Sequence, residues 1–325
     1  WTANRNLIPV LTDDADERSF LSARIAMGSS LGKIVASVLV PYLGTAFLAI
    51  FSGVTAYTVI ALIACVLYMI CYFIHYAVTS GYDTDVSAGQ KAVSFKDMGK
   101  CIATNPHLIA ILAHDAIRLI AYYGIAATAT YYAKVVLEDS SVMSWLLVMF
   151  YAGSVIGSFF STYIAKKLGS KMTSLLGCAG CAVFLGICYF LPAKVMLVVV
   201  FLFLAQLSFG IAYGLTSNLY SMCGTYSEWK TGGNARGVVM SFCSLAIKIG
   251  VAVRGVLITA VLGMIAYDPN ATVMTAEAKS GVKFLFIGVF TIIMLVSLIP
   301  LLFFRLNDKK VIEMEKEIAR KKASA

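Results

Sequence analysis

Charged side chains are scarce in this chain. They make up 13% of its 325 residues, against 60% hydrophobic ones, whereas a soluble domain carries about a quarter charged residues. That balance excludes an ordinary water-soluble module and points to a membrane, in keeping with a mean hydropathy of +0.84. A concentrated basic domain is missing too. The formal net charge is +9, but it is dispersed over short loops and a final run from Lys309 to Lys322, so nothing in it is patterned to grip nucleic acid. No nucleotide-binding loop, hydrolase nucleophile turn or metal-ligand cluster occurs, and the chain does not read as an enzyme. The eight cysteines fall mostly in apolar runs. Even Cys178 and Cys181, with two residues between them and no histidine near, read as buried thiols and not as a metal or redox pair. No cleavable targeting peptide is visible, because the chain opens at Trp1 and runs into TDDADER before its first apolar run. A start without methionine reads as a truncation.

What the chain has instead is long apolar runs, at 23–50, 53–78, 106–134, 141–164, 171–192, 194–222, 236–265 and 281–305. Each has the roughly 20 residues that cross about 30 Å of hydrocarbon as a helix. The expected fold class is therefore all-α, a polytopic membrane protein with eight transmembrane helices. Arg5 and Arg18; Lys91, Lys96 and Lys100; Lys166, Lys167 and Lys171; Lys230 and Arg236; and the segment from Arg305 to Lys322 fall on alternate sides of the runs. The opposite loops keep Lys134, Lys194, Lys279 and Lys283. The positive-inside bias then puts both ends in the cytoplasm of a multi-pass cell-membrane protein. The polar stretch 79–104 divides a leading pair of runs from a trailing six, so residues 1–78 read as the remainder of a first bundle. By the same division 105–306 reads as a six-helix bundle and 307–325 as a basic tail near anionic headgroups. In GSVIGSFF, Gly153 and Gly157 suit close approach of a neighbouring helix.

Several charges lie inside these runs. Lys248, in SLAIKIGVAVRG, would cost at least about 2.5 kcal/mol at the bilayer centre, so it should face protein or a water-filled cavity. At helical spacing Ser241, Ser244, Lys248 and Gly255 share one face, with Ala252 beside them. That face leaves room for a ligand and offers donors to sugar hydroxyls or a carboxylate. Arg254 lies about 9 Å further along the axis and points elsewhere. In LAHDAIRLIAYYG, Asp115, Arg118 and Tyr122 share a stripe, and two readings stand: an internal ion pair, or a contact to substrate or to Lys248. His114 beside them reads as a packing residue. Arg24 and Lys33, nine residues apart, face opposite ways, and Arg24 is the better candidate for a cavity. Tyr213 and Asn218 could give a sugar an aromatic platform and an amide, or simply pack between helices. LIPVLTDDADER, AKKLGSK and YSEWKTG sit at cytoplasmic ends, either as solvated turns or as ionic latches that break as a cavity alternates its opening.

Together these segments resemble the glycoside-pentoside-hexuronide cation symporters, the melibiose permease group within the major facilitator superfamily. The similarity runs from PVLTDDADER through TYYAKVVL, YSEWKTG and the lysine of SLAIKIG to VLGMIAYDPN at 261–270. Its most specific part is YSEWKTG followed, 18 residues after Lys230, by Lys248. The resemblance implies that the eight runs are helices five to twelve of twelve, so the carboxylates that hold the coupling cation would lie upstream. It implies sodium or proton coupling, no cofactor, no metal site in this stretch, and a monomer whose partners are a small sugar and the bilayer. It places Lys248 in the central cavity, with Ser244 and Tyr213 touching substrate, Arg24 reaching it from the other bundle, and Asn218, Asp115 and Arg118 as further candidates. Arg18, Lys167, Glu228, Trp229 and Lys230 would hold the cytoplasmic closure. The excess of buried cations suggests an anionic solute such as a hexuronide. Departures from the family pattern include Thr225 in place of an acidic residue, Asn234 and Arg236 in place of Arg and Glu, Arg5 in place of an aromatic, and a shortened spacing between Arg18 and Arg24. Competing readings are a carrier of the same fold for an organic anion or lysolipid, and a non-transporting receptor or scaffold.

Overall fold

A computed structural model describes residues 11–12, 15–80, 103–232, 236–265, 267–268 and 274–323. Most of the 79–104 stretch, together with Arg5 and Asn234, lies outside the described residues. Every regular element among the described residues is helical: α1 Ala15–Leu48, α2 Gly53–Thr79, α3 Pro106–Tyr131, α4 Val142–Leu168, α5 Ser170–Phe190, α6 Val195–Gly214, α7 Thr216–Thr231, α8 Arg236–Met264, α9 Ala276–Lys283, α10 Phe290–Phe303 and α11 Asp308–Ala323. A π-helical turn, Tyr132–Val136, extends α3, and a second, Phe284–Val289, joins α9 to α10. Counting α6 with α7 and α9 with α10 as continuous spans, eight helices among the described residues are long and apolar enough to cross a membrane. The chain is an all-α, multi-pass membrane protein.

It divides into two compact units, one of Trp1–Leu31 with Val93–Ala325 and one of Gly32–Ala92. The smaller contains the second half of α1 and all of α2. In the larger, α3 is the central helix, packed by α8 and α10, while α6 is held between α4 and α5. The start of α1 differs from the apolar pattern, whereas that of α3 coincides with it. Helix α1 begins at Ala15, eight residues before its apolar run, because ADERSF contains no helix breaker and Arg18 finds a partner inside the bundle. Helix α3 is fixed by Asn105, whose Oδ1 accepts from Leu108 N at 3.0 Å and whose Nδ2 donates to Cys223 O at 2.9 Å and Ser227 Oγ at 2.8 Å. One side chain thus caps α3 and ties it to α7, and Pro106 at the first helical position needs no N–H partner.

Small residues bring α4 and α6 together. A Cβ at Gly157 would fall on the carbonyl oxygen of Leu207, one at Gly210 on that of Ser154, and one at Gly153 would stand 2.5 Å from Phe203 O. These are backbone obstacles that cannot swing aside. Gly157→Ala is therefore expected to lower stability by roughly 1–3 kcal/mol through forced separation of the helices. Gly28→Ala, whose Cβ would meet nothing within 4 Å, should be neutral or slightly stabilising in the same helical context. Thermal unfolding of the two variants in detergent checks the contrast.

At the end of the bundle away from α11 the two π-turns meet, with Tyr132 stacked on Phe286 at 4.4 Å between ring centroids. There Lys279 pairs with Glu138. The hydrogen bond and charge of the ammonium hold the Glu138 carboxyl below its usual range.

Candidate functional site

Helix α8 has two unlike faces. Val239, Met240, Cys243, Ala246 and Gly250 are buried, and a Cβ at Gly250 would lie 3.0 Å from that of Leu119 on α3. The other face is open: Lys248, Ala252 and Gly255 are exposed, and Ser241 and Ser244 half-buried. Lys248 stands about 18 Å along the helix from its start, close to mid-membrane depth. It makes no hydrogen bond or ion pair with any described residue. Arg254 turns away from that face, donating from Nη1 to Tyr123 O at 2.9 Å with its guanidinium over the Tyr123 ring.

Asp115 and Arg118 are enclosed in the bundle, each 1% exposed. Arg118 donates to one Asp115 oxygen, Oδ1, from Nε at 2.8 Å and Nη2 at 2.5 Å, and from Nη2 to Thr216 Oγ1 at 2.6 Å. Tyr220 OH donates to the second Asp115 oxygen at 3.3 Å. The guanidinium also lies 5.5 Å from the Phe209 ring and 5.9 Å from that of Tyr213, a spacing suited to cation–π attraction. Tyr213 stacks on Phe209 and Tyr122 in the core. The structure thus gathers Asp115, Arg118 and Tyr213 around one buried pair, whereas Lys248 and Ser244 sit on the open face of α8. His114, buried beside them, bonds through Nδ1 to Ser297 O at 2.7 Å.

Arg24 is exposed on α1 with its guanidinium between two rings, 4.6 Å from Phe20 and 5.4 Å from Phe159. It borders a groove of about 280 Å³ against α4, with Glu17 and Lys166 at its polar edge. Asn218 is buried at the α11 end, where its Nδ2 donates to Ser170 Oγ at 2.9 Å.

The residues expected to form a closure have separate partners. Arg18, 2% exposed, pairs with Glu315 of α11. Glu228 pairs with Arg236 at 2.9 Å across the α7–α8 turn, and Lys230 donates to Thr104 O at 3.0 Å. Trp229 Nε1 donates to Glu317 Oε2 at 2.6 Å, and Lys167 is exposed in the last turn of α4. Sequence reasoning missed Glu315 and Glu317, which belong to an amphipathic helix docked on α7 through Val311, with Ile318 also buried. The signal was present in the apolar spacing of Val311, Met314 and Ile318, with Asn307 capping at Lys310 N, 2.9 Å. Thr225, the departure from the family pattern, donates to Glu315 at 3.3 Å. The hydroxyl supports a carboxylate supplied by α11.

Among the described residues no group of three or more His, Cys, Asp or Glu side chains could hold a metal ion. Compared with known proteins, residues 2–308 match the family described as MFS/sugar transport protein. The chain is 26% identical to a protein named "Putative sulfoquinovose importer" of Escherichia coli (strain K12), over 97% of this chain and 67% of that relative. It is 24% identical to the isoprimeverose transporter of Lactiplantibacillus pentosus over 98% of this chain and 67% of the relative. A glucuronide carrier protein homolog of Escherichia coli (strain K12) is 27% identical over 63% and 45% of the two chains. This chain therefore spans about two thirds or less of the relatives' lengths. It belongs to the MFS/sugar transport protein family.

Proposed function

We propose that this chain is the greater part of a secondary transporter of the glycoside-pentoside-hexuronide group. In this reading it carries a small polyhydroxylated solute bearing an acid group, coupled to sodium or protons by alternating access. The observation that carries the reading is Lys248: an ammonium at mid-membrane depth, on a face of small and hydroxyl side chains, with no partner among the described residues. Lipid cannot host such a charge cheaply, so this face of α8 lines a water-filled cavity where the amine meets an anionic group. Two of the three relatives above bear names that specify a sulfonated or uronate sugar, in keeping with a cation in the cavity. Ser244 supplies a hydroxyl next to the amine, and Arg24, held between two rings, approaches from α1. Asp115 and Arg118 act as an internal pair that lets α3 carry charge, with Tyr213 packed beneath it. On the cytoplasmic side, the tie between Arg18 and Glu315 and the contacts of Glu228, Trp229 and Lys230 hold the closed state, with Lys167 at its mouth.

Uptake into membrane vesicles containing the protein tests the proposal, using a labelled glucuronide and a neutral glycoside with and without a sodium or proton gradient. Gradient-driven accumulation of the glucuronide in preference to the neutral sugar is expected. Stoichiometric binding without accumulation would instead identify a receptor.

A further inference from the structure

The α11 end of the larger unit holds a cavity of about 440 Å³, within the size range of small-molecule sites. Five helices contribute to it, through Ser19 of α1, Lys166 and Lys167 of α4, Ser170 of α5, Asn218 of α7 and Lys309 of α11. The transport reading places Lys167 at the closure but assigns no ligand to this space. Its wall contains a polar group whose hydrogen bonding is incomplete: Ser19 is 5% exposed, and its hydroxyl has no partner among the described residues. Directly behind it lies a void of about 10 Å³ that shares Asn218 and Asp308 with the cavity and is bordered by Arg18 and Ser221. Arg18 Nε and Nη1 and the Ser221 hydroxyl also lack partners among the described residues.

Buried donors left unpaired are costly, about 1–3 kcal/mol each, and native proteins keep few of them. Several around the cavity and the void beside it point to an acceptor that arrives from outside. The charge of the site gives its sign. Among the described residues, the lining carboxylate Asp308 is occupied by Ser170 N at 2.8 Å and Ser170 Oγ at 2.6 Å, and Glu315 is taken by Arg18. Lys167 and Lys309 are exposed at the mouth and have no hydrogen bond or ion pair with a described residue. We infer that this cavity is a binding site for an oxyanion of the phosphate type, received by the Ser19 hydroxyl and the Lys167 and Lys309 ammoniums. The oxyanion comes either free from solution or on a lipid headgroup. The site is separate from Lys248 and stands whether or not the solute assignment does.

The test is thermal unfolding of the full chain in phosphatidylcholine nanodiscs, titrated with inorganic phosphate and, at matched ionic strength, with chloride. A saturable rise in midpoint with phosphate only is expected, by mass action on the folded state. Lys167→Ala/Lys309→Ala should weaken the apparent phosphate affinity by about tenfold or more, while Lys316→Ala, an exposed lysine elsewhere on α11, leaves it unchanged. Ser19→Ala gives the sharper result. Removing a buried hydroxyl with no partner should leave the unliganded midpoint equal or higher and yet reduce the phosphate response, a combination that loss of a structural contact does not produce. Equal stabilisation by chloride, or a phosphate response unaltered in both the double variant and Ser19→Ala, overturns the inference. Repeating the titration with phosphatidylglycerol in the nanodiscs separates the sources. A response abolished there identifies the headgroup as the occupant, and a response retained identifies the soluble anion.

Discussion

Lys248→Ala is expected to abolish gradient-driven accumulation of an acid-bearing sugar while the protein remains in the membrane at its normal level. The two halves of that result have separate physical causes. A hydrogen bond to a charged group is worth about 1.5–3 kcal/mol, so loss of the amine should weaken solute binding by roughly 10- to 100-fold. Stability should not fall with it, because Lys248 is exposed and makes no hydrogen bond or ion pair with any described residue. Truncation also removes a cation whose placement at mid-membrane depth costs at least about 2.5 kcal/mol. Lys248→Arg keeps the charge but replaces a compact ammonium with a planar fork, and should recover binding of the acid-bearing solute only in part. Initial uptake rates of labelled glucuronide, normalised to membrane-inserted protein, provide the measurement. Uptake unchanged in Lys248→Ala would remove this residue from the transport path.

The two kinds of buried or membrane-depth charge were legible in the sequence to different degrees. The spans could be read directly, since a run of about 20 apolar residues has few alternatives to a membrane helix. The polar stripe through Lys248 was legible as well, because it depends only on helical spacing along one element. Asp115 and Arg118 could be paired at three residues apart, but the sequence left open whether they face solute or core. What encloses them comes from far along the chain: Thr216 and Tyr220 hydrogen-bond to the pair, and Phe209 and Tyr213 cover it. Such long-range partners carry no local signature. The role of α11 was hidden for a different reason. Its high charge made it read as a solvated tail, although Val311, Met314 and Ile318 give it an apolar face and Glu315 reaches Arg18, almost three hundred residues earlier.

Asp115→Ala is expected to be the most destabilising of the substitutions considered, by about 3–5 kcal/mol, the range for removing one partner of a buried ion pair. Arg118 would remain 1% exposed with, among the described residues, the Thr216 hydroxyl, the Cys178 sulfur and the faces of two rings left beside its charge. Breaking the pair therefore costs far more than the pair itself contributes. Replacing both residues with apolar side chains of similar volume, Asp115→Leu/Arg118→Met, removes both charges and should return stability to within roughly 1–2 kcal/mol of the wild type. A strongly non-additive cycle of this kind, read from thermal unfolding in detergent, is the signature of contact between the two groups. The double variant also decides between the two roles open to the pair. If Asp115 and Arg118 only allow α3 to carry charge through the bundle, transport should return along with stability. If either group meets the solute, the double variant will be folded, inserted and inactive.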